Sequence, residues 1–322
     1  MTTITWRILL PFLCSACFAW GQPAAPADEA KPGAETNRGA IIVVNVTGTV
    51  TVKNNATGKE VPAKENDTIF DGHTVITDAK KGSSVILLFS NGTITTLKED
   101  SKLNLKTFTQ TSFEAANTKI SELENEPSDS KTSINLELGD MVVDIKKLNK
   151  KSSFDIESPV GTAGIRGTVV DLNVRPAPGG GFTGSFAVPQ GNIVVTPPPP
   201  IPTIEVPNPP APAPIPLAEG QAIAPEAPPR PPPGAPLPAA ADIVQPPPPP
   251  PPAPAPPARL EAAAATVTAQ KTETAAVTLD TVSVAVAEVK EKAPAPEPAP
   301  ETPPEEEPDP TDPEPTDPDD PD

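Results

Sequence analysis

The alternation of apolar and polar residues reads as a series of short strands separated by turns. Ile41-Ile42-Val43-Val44-Asn45-Val46 opens the ordered part, and Gly48 separates it from Thr49-Val50-Thr51-Val52-Lys53. In the second run Val50 and Val52 share one face and the threonines the other, as in a strand buried on one side. The pattern recurs at Thr68-Ile69-Phe70, at Thr74 to Thr77, at Thr93 to Leu97 and at Leu103 and Leu105. Asn54-Asn55, Gly58, Asp71-Gly72 and Lys81-Gly82 mark the turns between them. Ser83 to Ser90 differs, because Val85-Ile86-Leu87-Leu88-Phe89 is apolar at every position. Asn91-Gly92 follows it and predicts a hairpin, since both residues tolerate positive φ.

Thr111 to Ser133 interrupts this rhythm with polar and charged residues and is read as either a short helix or a surface loop. Strand character returns at Ile134 to Leu138, with Gly139-Asp140 turning into Met141 to Ile145. Lys146 to Lys151 holds four lysines and is read as a solvated turn rather than a phosphate site. Phe154 and Ile156 then lead into Ser158 to Leu172, where Gly161, Gly164 and Gly167 fall within seven residues. Glycines so spaced predict positive φ or close backbone approach. Strands follow at Thr168 to Val174, Phe182 to Val188 and Asn192 to Val195.

Composition limits how much of the chain this describes. Of 51 prolines in 322 residues, 42 lie from Pro189 onward, and aromatic residues make up 3%. Such a segment buries too little apolar surface to offset its chain entropy. From Pro225 to Asp322 there are 19 acidic and 5 basic residues, so this part carries −14 of the net charge of −18. The rest offers no basic stripe to displace counterions from nucleic acid, which excludes a nucleic-acid partner. The predicted fold class is therefore all-β: many short strands in a compact roll, sandwich or solenoid-like domain, followed by a disordered Pro-rich tail. Within that tail Pro225 to Pro257 predicts extended polyproline spacers. Ala258 to Lys292 has no clean period, leaving helix and strand both open.

The first residues read as a secretory signal peptide, 1–21. Arg7 is its charged end, Ile8 to Ala19 its apolar stretch, and Ala19-Trp20-Gly21 a cleavage site before Gln22. The apolar run is too short to span a membrane, which takes about 20 residues, and Pro11 interrupts it. Residues 22–38 form a flexible leader. Both cysteines, Cys14 and Cys17, leave with the signal, so the mature chain has no thiol chemistry. A lipid anchor at Cys17 is the alternative, although Cys14 stands where a lipobox prefers Leu.

The motifs also carry a resemblance. Pro159 followed by Ile165-Arg166-Gly167-Thr168 is similar to the [IV]-R-G-T signature of the FecR domain family. Gly48 to Val52, Asn66 to Ile69 with Gly72 to Val75, Ser83 to Thr93, Leu136 to Ile145 and Leu217 to Ala222 resemble its other elements, in the family's order. The last match extends the domain from about Val195 to Ala224, giving a domain of 39–224 with a Pro-rich insertion at 197–216 and a tail of 225–322. The resemblance implies a β-rich periplasmic or surface domain. Its best understood members relay iron-siderophore signals to an extracytoplasmic sigma factor. They do so with a cytoplasmic helical segment, a membrane span and a receptor-contacting module, for which this chain has a signal peptide instead.

Candidate chemistry is sparse. His73 is the one histidine, and it follows Gly72 at a turn with no nucleophile elbow or metal-ligand repeat nearby. Asp140, Asp144 and Asp171 could pair as acid and base, but at turn ends and alternating strand positions they read as solvated. The site candidates are the family motif residues Pro159, Gly161, Gly164, Ile165, Arg166, Gly167 and Thr168, read as structural. Arg166 is expected to pin neighbouring turns, with anion binding as its functional alternative. No catalytic residue, cofactor or metal is expected. The chain is read as a non-enzymatic binding or scaffolding protein of the cell envelope with an envelope protein or polysaccharide partner. The alternative is a regulatory sensor of envelope or iron-uptake signalling that acts through a separate membrane partner.

Overall fold

The computed structural model describes residues 36–228, apart from 115–116, 179, 204–205 and 207–208, together with 238 and 249–283. The expected signal peptide, most of the leader and the acidic end of the tail lie outside the described residues. Strands form at the runs the alternation predicts, and also at Thr36–Arg38, Glu60–Pro62 and Ser130 to Ser133, where it predicts none. They are β1 (Thr36–Arg38), β2 (Ile41–Thr47), β3 (Val50–Asn54), β4 (Glu60–Pro62), β5 (Thr68–Ile69), β6 (His73–Thr77), β7 (Ser84–Phe89), β8 (Ile94–Leu97) and β9 (Lys102–Thr111). After a loop holding one 3-10 turn at Ile120–Glu122 come β10 (Ser130–Asp144), β11 (Ser153–Ser158), β12 (Gly161–Ile165), β13 (Val169–Pro176), β14 (Phe182–Gln190) and β15 (Ile193–Thr196). The chain ends its described course with β16 (Ile215–Leu217), β17 (Gln221–Ile223), β18 (Glu226–Ala227), β19 (Ala253–Pro254) and one helix, α1 (Pro257–Glu273).

Two sheets share one strand. In sheet A the order is β4, β3, β6, β9, β10, β11, β12, β15, β16, with β1 on the far end of β9. In sheet B it is β5, β2, β7, β8, β10, β13, β14, β17, β19, with β18 also on β14. β10 pairs with β9 and β11 through its first half and with β8 and β13 through its second. Residues 145–152 carry the chain back to sheet A, which is why β11 runs parallel to β10 while its other neighbour is antiparallel.

The chain passes repeatedly from one sheet to the other, and glycines with positive φ stand at those passages, among them Gly48, Gly139, Gly167 and Gly191. Gly139 lies inside β10 where it changes sheet. At φ +104 a Cβ there would stand 2.4 Å from Ser101 Cα, so only glycine fits the crossing. The Asn91-Gly92 hairpin forms as expected, but through a turn over Phe89–Gly92 closed by Gly92 N–H to Phe89 O at 2.8 Å. Only Gly92 takes positive φ. Asn91 is instead buried, and its amide donates to Ser130 and Thr132.

Between the sheets lies one core. Val85, Leu87 and Phe89 from sheet B face Leu103, Leu105, Phe108 and Phe154 from sheet A. Phe89 meets Phe108 and Phe154 edge-on at centroid distances of 5.3 and 6.3 Å. A second cluster covers the outer face of sheet B, where Ile42, Ile86, Leu88 and Ile94 pack with Ile120, Leu279 and Val282. The all-apolar run Val85 to Phe89 follows from this, because β7 is buried on both faces.

The structure corrects the expected boundaries. Thr36 to Arg38, expected to belong to the leader, form β1 and pair with Thr109 to Thr111 of β9. The Pro-rich insertion ends as the chain rejoins sheet A at Ile215, and the Leu217 to Ala222 element forms two strands rather than one. The tail expected to be disordered from Pro225 contributes β18, β19, α1 and residues 277–283 to the folded body. Pro257 opens α1 at a position that needs no N–H, and alanines favour the helix. Its sheet-facing residues Arg259, Ala263, Gln270 and Thr274 share one face by spacing, but they are polar or small, so no hydropathy period betrays the helix. The Arg259 guanidinium bonds both carboxylate oxygens of Asp171 at 3.0 and 3.1 Å and the Ser185 carbonyl at 3.1 Å. Gln270 is fully buried and donates to Thr96 Oγ1 and Val142 O at 2.9 and 3.0 Å.

Candidate functional site

The glycine-rich motif begins as a two-residue hairpin turn. Pro159 and Val160 connect β11 to β12, Ser158 stands opposite Gly161, and Ser158 Oγ donates to Gly161 O at 2.8 Å. Gly161 sits at φ +143, and a Cβ there would meet the Thr196 carbonyl oxygen at 2.8 Å. Gly167 ends the motif at φ +94, against Lys147 of the returning loop. Thr168 exchanges backbone hydrogen bonds with Ile145 and donates its hydroxyl to Asn192 O at 2.9 Å. Pro159, Gly161, Gly167 and Thr168 therefore build the corners of this region.

Between those corners, register fixes what the outer face of sheet A presents. Asp155, Gly164, Val194 and Pro216 form one row across β11, β12, β15 and β16. Two residues along each strand, Ser153, Arg166, Asn192 and Ala218 lie on the same face. Gly164 has no side chain, so the row dips there. The result is an open cleft of about 740 Å³, with Asp155 and Arg166 beside it and Asn192, Val194 and Gln221 around it. Buried Phe154, Ile165, Ile193 and Leu217 lie beneath. Val194 is 45% exposed, unusual for a strand valine.

The two charged groups of the cleft are free. Arg166 is exposed and makes no hydrogen bond or ion pair among the described residues, contrary to its expected role as a pin between turns. Asp155 likewise has no such partner. Burial pushes its carboxyl above the ordinary carboxylate range, and the charge of Glu157 adds to the shift. Of the seven motif residues, the cleft gathers Gly164, Ile165 and Arg166. Sequence reasoning missed Asp155, Asn192, Val194 and Gln221. Asp155 was within reach, because the Pro159-Val160 turn dictates the register that places it opposite Gly164.

The other candidates have structural partners. His73 Nδ1–H donates to the Phe70 carbonyl at 3.1 Å and Nε2 accepts from Asn54 at 3.3 Å, which fixes a turn. Asp140 pairs with Arg175 and Asn173, Asp144 with Lys146, and Asp171 with Arg259. Burial lowers the Lys146 pKa, and nearby Asp144 opposes the shift. No helix among the described residues is long and apolar enough to cross a membrane.

Residues 74–183 match the protein family described as "FecR protein". The chain carries a FecR domain. The match runs from β6 into β14 and contains the Ser83 to Thr93 hairpin, β10 and the Pro159 to Thr168 motif. The Gly48 to Val52 and Leu217 to Ala222 elements lie outside it. No curated protein matches the chain. Two crystal structures described as a "putative anti-sigma factor" from Parabacteroides distasonis ATCC 8503 are similar at 9% identity, with TM-scores of 0.32 and 0.31. The likeness covers 47% of this chain and 53% of each of those chains, about half their length, and carries no functional argument.

Proposed function

We propose that this protein is a regulatory, non-enzymatic signalling module whose FecR domain engages a partner protein through the cleft on sheet A. The observation that carries this reading is the FecR match over residues 74–183, which includes both Asp155 and Arg166. It favours the sensor alternative over passive scaffolding. The cleft suits recognition: a cation and a carboxyl, both unpaired among the described residues, and an exposed valine sit on paired strands, already positioned. With export by the signal peptide, the partner belongs to the cell envelope.

Deleting the gene in its native host and profiling transcripts tests the reading. A discrete set of transcripts that changes on deletion and recovers with the wild-type gene is the expected result. Unchanged transcripts, with the protein held on peptidoglycan or outer membrane and a shape or integrity defect on deletion, would restore scaffolding.

A further inference from the structure

The lysine-rich turn after β10 does not spread its charges evenly. Lys146 turns inward, 7% exposed and 3.8 Å from Asp144. Lys147, Lys150 and Lys151 are exposed, and none forms an ion pair among the described residues. Gly167 lies against the Lys147 backbone, which brings this turn beside Arg166. Lys131, also exposed and unpaired, stands opposite Ser153, which lines the cleft together with Arg166. Elsewhere on sheet A, Lys53, Lys102 and Lys106 pair with Glu60, Glu137 and Glu157. One end of sheet A thus holds five unpaired cations. The carboxylates among them are Glu126, buried, which accepts from Asn149 N–H and Ser130 Oγ at 2.7 Å each, Asp155 in the cleft, and Glu122, Glu124 and Asp144 beside a neighbouring pocket of about 380 Å³ that Lys147 and Lys271 also line.

A complementary polyanion lies in the same chain. Residues 293–322 carry 12 Asp and Glu and no Lys or Arg. The described part of the tail approaches the cluster: Leu279 N–H donates to Thr118 O, Ile120 N–H donates to Val277 O, and Ser121 lines the pocket with Lys147. The ten residues that follow Ser283, up to Ala293, can span roughly 35 Å when extended.

We propose that the acidic segment 293–322 binds in cis to Lys131, Lys147, Lys150, Lys151 and Arg166, lying across the Arg166 end of the cleft. Each exposed pair is weak, but several act together and the tether holds the segment at high effective concentration. The contact is therefore salt-sensitive. It does not depend on the signalling role, since it concerns the chain alone.

Zero-length carbodiimide cross-linking of the full mature chain, mapped by peptide mass spectrometry, tests it. Residues 293–322 form one tryptic peptide, so its links are readily assigned. The expected result is tail links to Lys147, Lys150 or Lys151 in monomeric protein, falling about tenfold in roughly 0.5 M salt. Those links should also disappear when the acidic residues of 305–322 are changed to Asn and Gln, which leaves the folded domain untouched. Lys150→Glu with Lys151→Glu and Arg166→Glu should abolish the links to Lys147. Equal linking to Lys80 and Lys81 in the β6–β7 turn, links found only in dimers, or no tail links at all would overturn the proposal.

Discussion

Sheets A and B are built from the same kind of short strand, yet their outer faces are treated differently. On sheet A the outward positions are mostly polar or small, as at Thr51 and Lys53 on β3, Asn104 and Lys106 on β9 and Gly164 on β12, with Ile76 and Val194 as apolar exceptions. On sheet B the outward positions include Ile42, Ile86, Leu88, Ile94 and Val142, all buried. The cover of sheet B comes from the far end of the chain, through α1 and Leu279 and Val282. A strand apolar on both faces needs a second layer, and a strand that alternates can face water. One face has become core, and the other faces solvent.

Removing the cover should have the largest effect. A chain ended after Pro256 would expose several large side chains at roughly 1.5–3 kcal/mol each. We expect a loss of about 5 kcal/mol or more, a fall in melting temperature of roughly 10–20 °C, and binding of an apolar dye. A chain ended after Ser283 should melt with the full chain. Equal melting of the two truncated chains would dissolve the distinction between the faces.

A smaller loss should follow from Arg259→Ala. It strips the buried Asp171 carboxylate of its partner at a cost of about 2–3 kcal/mol by chemical denaturation. Arg259→Met combined with Asp171→Leu should recover most of it, because the pair is then replaced on a face already apolar. No recovery would mean that the ion pair, rather than apolar cover, holds α1.

The smallest effect concerns sheet A. Since the Asp155 carboxyl is weaker in the folded protein than its ordinary value of 3.8, the folded state binds more protons between those two values. Its contribution to stability therefore falls as pH rises through that window. Asp155→Asn should raise the melting temperature slightly at neutral pH, and the gain should vanish on acidification below the ordinary value. A lower melting temperature at neutral pH would reveal a partner for the carboxylate.

Much of this was legible in the chain, for identifiable reasons. Strands with one buried face announce themselves by period, and the passages between sheets announce themselves by glycine, as at Gly48 and Gly167. The order of β7 and β8 followed from Asn91-Gly92, although Asn91 serves as a buried hydrogen-bond donor rather than a positive-φ residue. Long-range docking was not legible. Helix α1 meets sheet B through Arg259, Ala263 and Gln270, residues that hydropathy counts as polar or neutral, and their partners Asp171, Thr96 and Val142 lie at least 88 residues away. Nor could composition alone separate the part of a proline-rich tail that folds back. In the cleft, Arg166 stood out by its motif, but its freedom depends on the outward row that pairing with β15 and β16 creates.

The central claim is that the cleft on sheet A is where this FecR domain signals. A chromosomal Arg166→Glu, Val194→Asp variant tests it directly, because both side chains are exposed and folding should survive. The account predicts the transcript changes of the deletion, with the variant at normal abundance and with an unaltered melting temperature. Wild-type transcripts from a folded, normally abundant variant would contradict it.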